Sequence, residues 1–374
     1  MKSKINVRIV IPIVLLAIIS VITIYSARIY TSPTLGNLAL KQAIWYGIGI
    51  ILVIVLLRLK NEYIFRNTWI LYILGNLVLL GLLFFGTPIN NSKCWIILPG
   101  VGSVQPSEFM KIILMLVLAT MIHNFRSDYK NPTAWEEFLF LIKSFLVVLL
   151  PSVLTFLEPD TGCVLIYLII YVFMIFGSGI RLRWFISAFV IVALLVSGIL
   201  WLYFYKENTF ISIFGSSIYY RLERIFDWQS GSGLQLENAL AAIGSAGMFG
   251  HGFNNTPIYF PEASTDFIFA VYASNFGFVG VLGLLGLIFY LDVQIISLAK
   301  KRMTDTNHFM VAGILGMLLF QQIQNIGMTV GLLPITGITL PFISYGGSSL
   351  LSYMLIVGIL LNVSNEREVT YRYK

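Results

Sequence analysis

Apolar residues in this chain fall into ten blocks of about 17–25 residues, separated by short polar intervals. The pattern predicts helices near residues 8–26, 42–59, 68–86, 108–124, 138–157, 161–178, 184–204, 266–290, 309–330 and 347–363. A helix of that length crosses the hydrocarbon core of a bilayer, because each residue rises ~1.5 Å along its axis. The expected fold is therefore an all-α polytopic membrane protein with about ten transmembrane helices. It reads as a single integral membrane domain over residues 1–374, with no visible internal repeat. Lys2, Lys4 and Arg8 precede the first block, and no small-residue cleavage site follows it, so it reads as a span rather than a removed signal. The longest polar interval, residues 205–265, lies between the seventh and eighth blocks.

Composition excludes a soluble domain. Of the 374 residues 58% are hydrophobic and only 11% charged, whereas soluble domains carry about 25% charged residues. The net charge of +7 calls for no nucleic acid. Of the 24 Lys and Arg residues, sixteen lie at the two ends and in the even-numbered connections. Six lie on the opposite side: Arg28, Lys41, Lys93, Lys206, Arg221 and Arg224. Lys111 and Lys143 fall within spans. This bias predicts cytoplasmic termini and places the 90–107, 205–265 and 331–346 loops outside. Cys94 and Cys163, the only cysteines, cannot make a disulfide framework or a zinc site. They read as a single outer bridge or as small residues packing among helices.

Candidate chemistry concentrates at the outer ends of the predicted helices. Asp266, in the run Pro261–Ala270, opens a long apolar helix. A carboxylate at that depth is costly to desolvate and marks a functional site. Pro106-Ser107-Glu108 reads as a helix start, with Lys111 on the same face as Glu108. The pair is either a structural ion pair or the lining of a polar cavity. Glu158-Pro159-Asp160 is a tight turn, in which Asp160 is either a helix cap or a ligand for a cation or sugar hydroxyl. Arg221 and Arg224 precede the glycine-rich stretch Ala242–Gly252, and such a pairing favours phosphate. The stretch Gly331–Ser349 carries two prolines and several glycines, so it cannot be one straight helix. It reads as a packed, re-entrant segment shaping a cavity. His251 and His308 have no partner cluster in the sequence and read as surface residues.

These motifs resemble those of the shape, elongation, division and sporulation family, the RodA/FtsW/SpoVE group, over almost the whole chain. Gln105-Pro106-Ser107-Glu108 with Lys111, Glu158-Pro159-Asp160 with Gly162, Ala242-Ile243-Gly244-Ser245, Thr265-Asp266-Phe267-Ile268-Phe269 and Gly331–Ser349 carry the resemblance. It implies a peptidoglycan glycosyltransferase of the bacterial cytoplasmic membrane. Such an enzyme polymerises lipid II on the outer leaflet, releases undecaprenyl pyrophosphate, and works with a class B penicillin-binding protein, a transpeptidase. The resemblance places the family's essential acid on Asp266, and its glutamate and following lysine on Glu108 and Lys111. Asp160, Gln105, Ser344, Arg221 and Arg224 become candidate substrate-binding residues. The chain departs from the family pattern at Cys94, Asn238, Ala239, Ser264, Ser274, Glu158, Cys163 and Thr339, where relatives usually carry Arg, Gln, Ser, His, Glu, Gln, Thr and Pro.

Glycan extension by such an enzyme needs a base on the acceptor hydroxyl and positive charge on the departing pyrophosphate. Asp266 is the expected base. Lys111, Arg221 and Arg224 are the expected cations, with a divalent ion such as Mg or Mn as a possible assistant and no other cofactor. Two rival readings are a lipid II flippase using the same cavity and a non-catalytic scaffold that activates the transpeptidase. The first needs polar groups through the full depth of the membrane, which the sequence lacks. The departures from the family pattern favour the second.

Overall fold

The computed structural model describes residues 6–28, 36–59, 61–89, 92–98, 102–216, 218–220, 234–299 and 305–365. The helical blocks expected from hydrophobicity appear as α1 (Val7–Ala27), α2 (Leu38–Arg58), α4 (Thr68–Phe85), α5 (Pro106–Asp128), α6 (Ala134–Leu157), α7 (Thr161–Gly177), α8 (Leu182–Tyr205), α11 (Ile268–Ala299), α12 (Asp305–Thr329) and α13 (Gly347–Asn365). Among the described residues nine of these are long and apolar enough to cross a membrane, and α7 is shorter. Three further helices lie between them: α3 (Asn61–Arg66), α9 (Glu207–Phe214) and α10 (Leu234–Ser245).

Local chemistry sets several ends. Thr133 and Glu136 form a reciprocal capping box at the start of α6. Asp160 caps α7 by accepting the Cys163 N–H at 3.1 Å. Pro106 occupies the first turn of α5, where its missing N–H costs nothing.

The all-α architecture carries one small addition that the hydrophobic pattern does not announce. The segment between α4 and α5 folds into a small antiparallel sheet of β1 (Thr87–Ile89), β2 (Ser92–Leu98) and β3 (Gly102–Val104), in the order β1-β2-β3. Ile96 pairs with Val104 and Ile97 with Ser103. Strand pairing satisfies the backbone of a segment too short and too rich in turn residues to span as a helix.

Helices α5, α12 and α13 form the centre, and more than half of the residues of each are buried. By contrast, α8 buries no residue. At its start Glu137 of α6, itself buried, meets Arg181 Nε at 3.4 Å and accepts the Trp184 Nε1–H at 2.8 Å.

The eighth span is not one continuous helix. It breaks at Gly277, where φ is +62°. The freed backbone groups are answered by the 247–252 loop. His251 and Gly252 N–H groups donate to the carbonyls of Ser274 and Asn275 at 2.9 and 3.1 Å. Phe278 and Val279 N–H groups donate to Gly247 and Met248, each at 3.0 Å. A broken helix at membrane depth is tolerated when its backbone is satisfied in this way. Gly250 and Gly277 meet backbone to backbone, and a Cβ on either would strike the other's chain.

The 331–346 segment is non-helical and packed, as its prolines and glycines predict. Its carbonyls are answered by side chains. Ser20 donates to Ile343 (2.7 Å), Gln42 to Ser344 (3.1 Å), Gln324 to Pro334 (2.8 Å), Asn325 to Ile338 (2.8 Å) and Tyr46 to Phe342.

Candidate active site

The segments around the 331–346 stretch enclose a cavity of about 1150 Å³. Its walls come from α2 (Lys41, Trp45), β2 (Trp95, Ile97), the start of α5 (Gln105, Glu108), the start of α7 (Asp160, Cys163), the turn 262–266, α12 (Gln321) and residues 337–349. Four carboxylates line it: Glu108, Asp160, Glu262 and Asp266. Lys41 is the one Lys or Arg on its walls among the described residues.

Asp266 stands at the end of the turn that leads into α11, partly exposed to the cavity. Its position is fixed through its backbone, because its carbonyl accepts the Asn325 Nδ2–H at 2.8 Å. The preceding carbonyl, of Thr265, accepts the Ser344 hydroxyl at 2.6 Å. Burial, and then the charge of Glu262, push the Asp266 carboxyl up from 3.8 to about 7. A carboxylate with that proton affinity is matched to general-base work near neutral pH.

Glu108 and Lys111 form an ion pair at 2.6 Å. Glu108 also accepts a hydrogen bond from Ser352 at 3.3 Å, and the Cys163 thiol lies 3.6 Å from its other oxygen. Only Glu108 reaches the cavity. Lys111 is fully buried behind it, with Nζ 5.5 Å from the centre of the Tyr353 ring. The expectation that Lys111 meets a pyrophosphate is therefore corrected. Its charge is committed to Glu108, and its contact with the site runs through that carboxylate.

Asp160 takes the first of the two roles left open by the sequence, and its position also gives it a cavity-facing side. It caps α7, accepts from Gln105 Nε2 at 2.6 Å and Ser107 Oγ at 2.9 Å, and still lines the cavity. It thereby ties the start of α5 to the start of α7. Gln105 lines the cavity beside it. Ser344, a candidate substrate contact, is buried and off the cavity wall; it accepts the Leu340 N–H at 2.9 Å while donating to Thr265. Its place is under the Asp266 turn, so this expectation is also corrected. Arg221 and Arg224 lie outside the described residues.

Sequence reasoning passed over Glu262, Lys41 and Gln321. Glu262 lies four residues before Asp266, and Lys41 reads in the sequence only as an outer-side charge. Gln321 sits in an apolar helix and is revealed as cavity lining only by the fold. Glu158 is buried in the α6–α7 turn, where burial, and then Asp160, push its carboxyl up to about 8. Among the described residues no group of three or more His, Cys, Asp and Glu side chains is assembled to hold a metal ion. Cys94 and Cys163 are both buried, and no disulfide joins the two.

A family model described as "Cell cycle protein", covering FtsW, RodA and SpoVE, matches residues 7–369. The chain belongs to the FtsW/RodA/SpoVE family. It is 35% identical over 344 residues to a probable peptidoglycan glycosyltransferase FtsW of Coxiella burnetii, covering 88% of this chain and 87% of that one. It is 33% identical over 383 residues to stage V sporulation protein E of Bacillus subtilis, covering 97% and 98%. Among solved structures it resembles a chain from a peptidoglycan synthase complex that coordinates polymerization and crosslinking, with a TM-score of 0.78 at 27% identity over 97% and 98% of the two chains. It also resembles the rod-shape-determining protein RodA of Thermus thermophilus, with a TM-score of 0.69 at 27% identity over 96% of each. Like these FtsW/RodA/SpoVE relatives, it is a multi-pass membrane protein.

Proposed function

We propose that this member of the family is a peptidoglycan glycosyltransferase that polymerises lipid II on the outer face of the bacterial cytoplasmic membrane. The observation that carries the reading is the place of Asp266, whose carboxylate stands on the wall of a cavity shared with Glu108, Asp160 and Glu262, in a chain whose relatives are named for this activity; burial raises its proton affinity.

The acceptor sugar's 4-hydroxyl oxygen bonds to the anomeric carbon of the donor. The bond from that carbon to the diphosphate oxygen breaks, and its electron pair leaves with undecaprenyl pyrophosphate. The hydroxyl proton passes to the Asp266 carboxylate. One base and no covalent intermediate suffice, so the anomeric centre inverts. Lys41 stands on the cavity wall as a counter-charge for the diphosphate, and Arg221 and Arg224 remain candidates for the same task. Glu108, neutralised by Lys111, shapes the wall, and Asp160 with Gln105 offers hydrogen-bonding groups to sugar hydroxyls.

The orientation supported by the charge bias puts both termini in the cytoplasm and the cavity toward the outside. The likeness to a chain of a synthase complex supports a class B penicillin-binding protein as partner. The test is a time course of polymer formation from labelled lipid II by the purified protein with its cognate transpeptidase. Wild type is expected to form polymer. Asp266→Asn keeps size and shape but loses the base, and should slow the reaction about 10²–10⁴-fold. Wild-type rates from Asp266→Asn would refute the assignment. Wild-type protein that binds its partner and makes no polymer would favour the scaffold reading.

A further inference from the structure

The turn before α11 holds a second carboxylate for which the reaction has so far had no use. Glu262 lines the same cavity as Asp266, four residues earlier. Its φ is +52°, in the left-handed region that side chains other than glycine rarely adopt. Such backbone persists only where surrounding structure enforces it, and it clusters at functional sites. Here the enforcing contacts are on the turn itself. The Glu262 carbonyl accepts the N–H groups of Thr265 and Phe267, at 3.2 and 3.1 Å. The Thr265 hydroxyl donates to Glu262 Oε2 at 2.6 Å. Glu262 therefore grips the residues on both sides of Asp266, while Asn325 and Ser344 hold the same stretch from below.

We propose that Glu262 is the positioning partner of Asp266: its backbone and carboxylate hold the turn that presents Asp266 to the acceptor hydroxyl, and its charge strengthens Asp266 as a proton acceptor. This rests on the reading of Asp266 as the base. The titratable groups sharing the cavity are Lys41 from α2, Glu108 from α5, Asp160 and Cys163 from the start of α7, and Tyr345 from the 331–346 segment. Of these carboxylates Glu108 is neutralised by Lys111, and Asp160 is bound by Gln105 and Ser107. Glu262 is the carboxylate whose charge acts on Asp266, in the same direction as burial.

The charge and the grip separate experimentally. Glu262→Gln keeps an oxygen to accept from Thr265 but removes the charge. Glu262→Ala removes both. Two readouts are needed: the pH–rate profile of polymer formation from lipid II with the transpeptidase present, and an infrared titration of the Asp266 carboxyl band, assigned with Asp266→Asn. Glu262→Gln is expected to move the acid limb of the rate and the band's midpoint to lower pH, by about half a unit to one unit. Its plateau rate should stay within about threefold of wild type. Glu262→Ala should lower the plateau by about 10²-fold, since a misplacement of ~1 Å costs that much, while thermal unfolding and partner binding stay as in wild type. A midpoint that Glu262→Gln leaves in place overturns the proposal whatever the polymer assay gives, as does an unchanged plateau in Glu262→Ala. Polymer formation by Asp266→Asn at the wild-type rate would instead sink the base assignment, while the infrared midpoint still reports on the coupling.

Discussion

At Asp266 burial and a neighbouring carboxylate act together, so the proton is held to about pH 7. A base works only when ionised, so polymerisation should rise with pH through about 7 and level off above it, with Asp266→Asn lacking that limb. Glu158 has the same sign of shift for a different purpose. Its folded form keeps a proton to about pH 8, whereas an ordinary glutamate releases it near 4.5. The folded state thus binds more protons than the unfolded one between those values, and stability falls as pH rises through that window. A neutral isostere removes the loss. Glu158→Gln should leave folding intact at pH 5 and raise the unfolding temperature relative to wild type at pH 8. Glu108 and Lys111 respond in the opposite way. Removing either strands a buried charge, at ~3–5 kcal/mol, so Glu108→Ala and Lys111→Ala should each destabilise, and the double variant should lose less than the sum. Simple additivity in thermal unfolding would show that the two act independently. The sequence disclosed this pair through its spacing. It did not disclose which member faces the cavity, because Glu108 and Lys111 share a helix face and only packing against Tyr353 and Ser352 tells them apart.

Periodicity and length were enough to locate the spans, because an apolar run of ~20 residues has few alternatives. Two elements escaped that argument. The strand Ser92–Leu98 carries a five-residue apolar run with one aromatic, Trp95, but sits in a loop too brief for its pattern to stand out. The break in α11 escaped because Gly277 is flanked by apolar residues that read as continuous helix. What reveals it is pairing with a loop 25 to 30 residues earlier in the chain, which no local window contains. The break makes its own prediction. Gly277→Ala and Gly250→Ala each force a side chain into left-handed backbone and into the opposing chain. Each should destabilise by more than the ~1 kcal/mol of an exposed left-handed site. Gly283→Ala, in the same helix with open space beside it, should be nearly silent in a thermal-shift comparison.

Over the whole molecule, the cavity gathers residues from Leu38 to Ser349. Sequence motifs identified most of its acids, since each sits at the start of a helix or in a Pro-marked turn. They could not say that Ser344 supports the site from beneath, because burial is decided by how the 331–346 segment folds over α1 and α2. The charge bias predicts the orientation of the whole. With cysteines introduced at Ser230 and Ser127, an impermeant thiol reagent applied to intact cells should label Ser230→Cys and spare Ser127→Cys. The reverse pattern would invert the topology. The native thiols are both buried and should contribute little background.

Helix α8 carries a different lesson. It buries no residue and is moored to the bundle at its start, where Glu137 receives Arg181 and Trp184. Its outward apolar side chains answer to lipid, for which one greasy residue is much like another. The middle of α8 should therefore accept a shuffled order of Leu, Val, Ile and Phe with little loss, so sequence there is free to drift. Glu137, Arg181 and Trp184 are bound to one another, and a change in one of the three should be tolerated only when the others change with it.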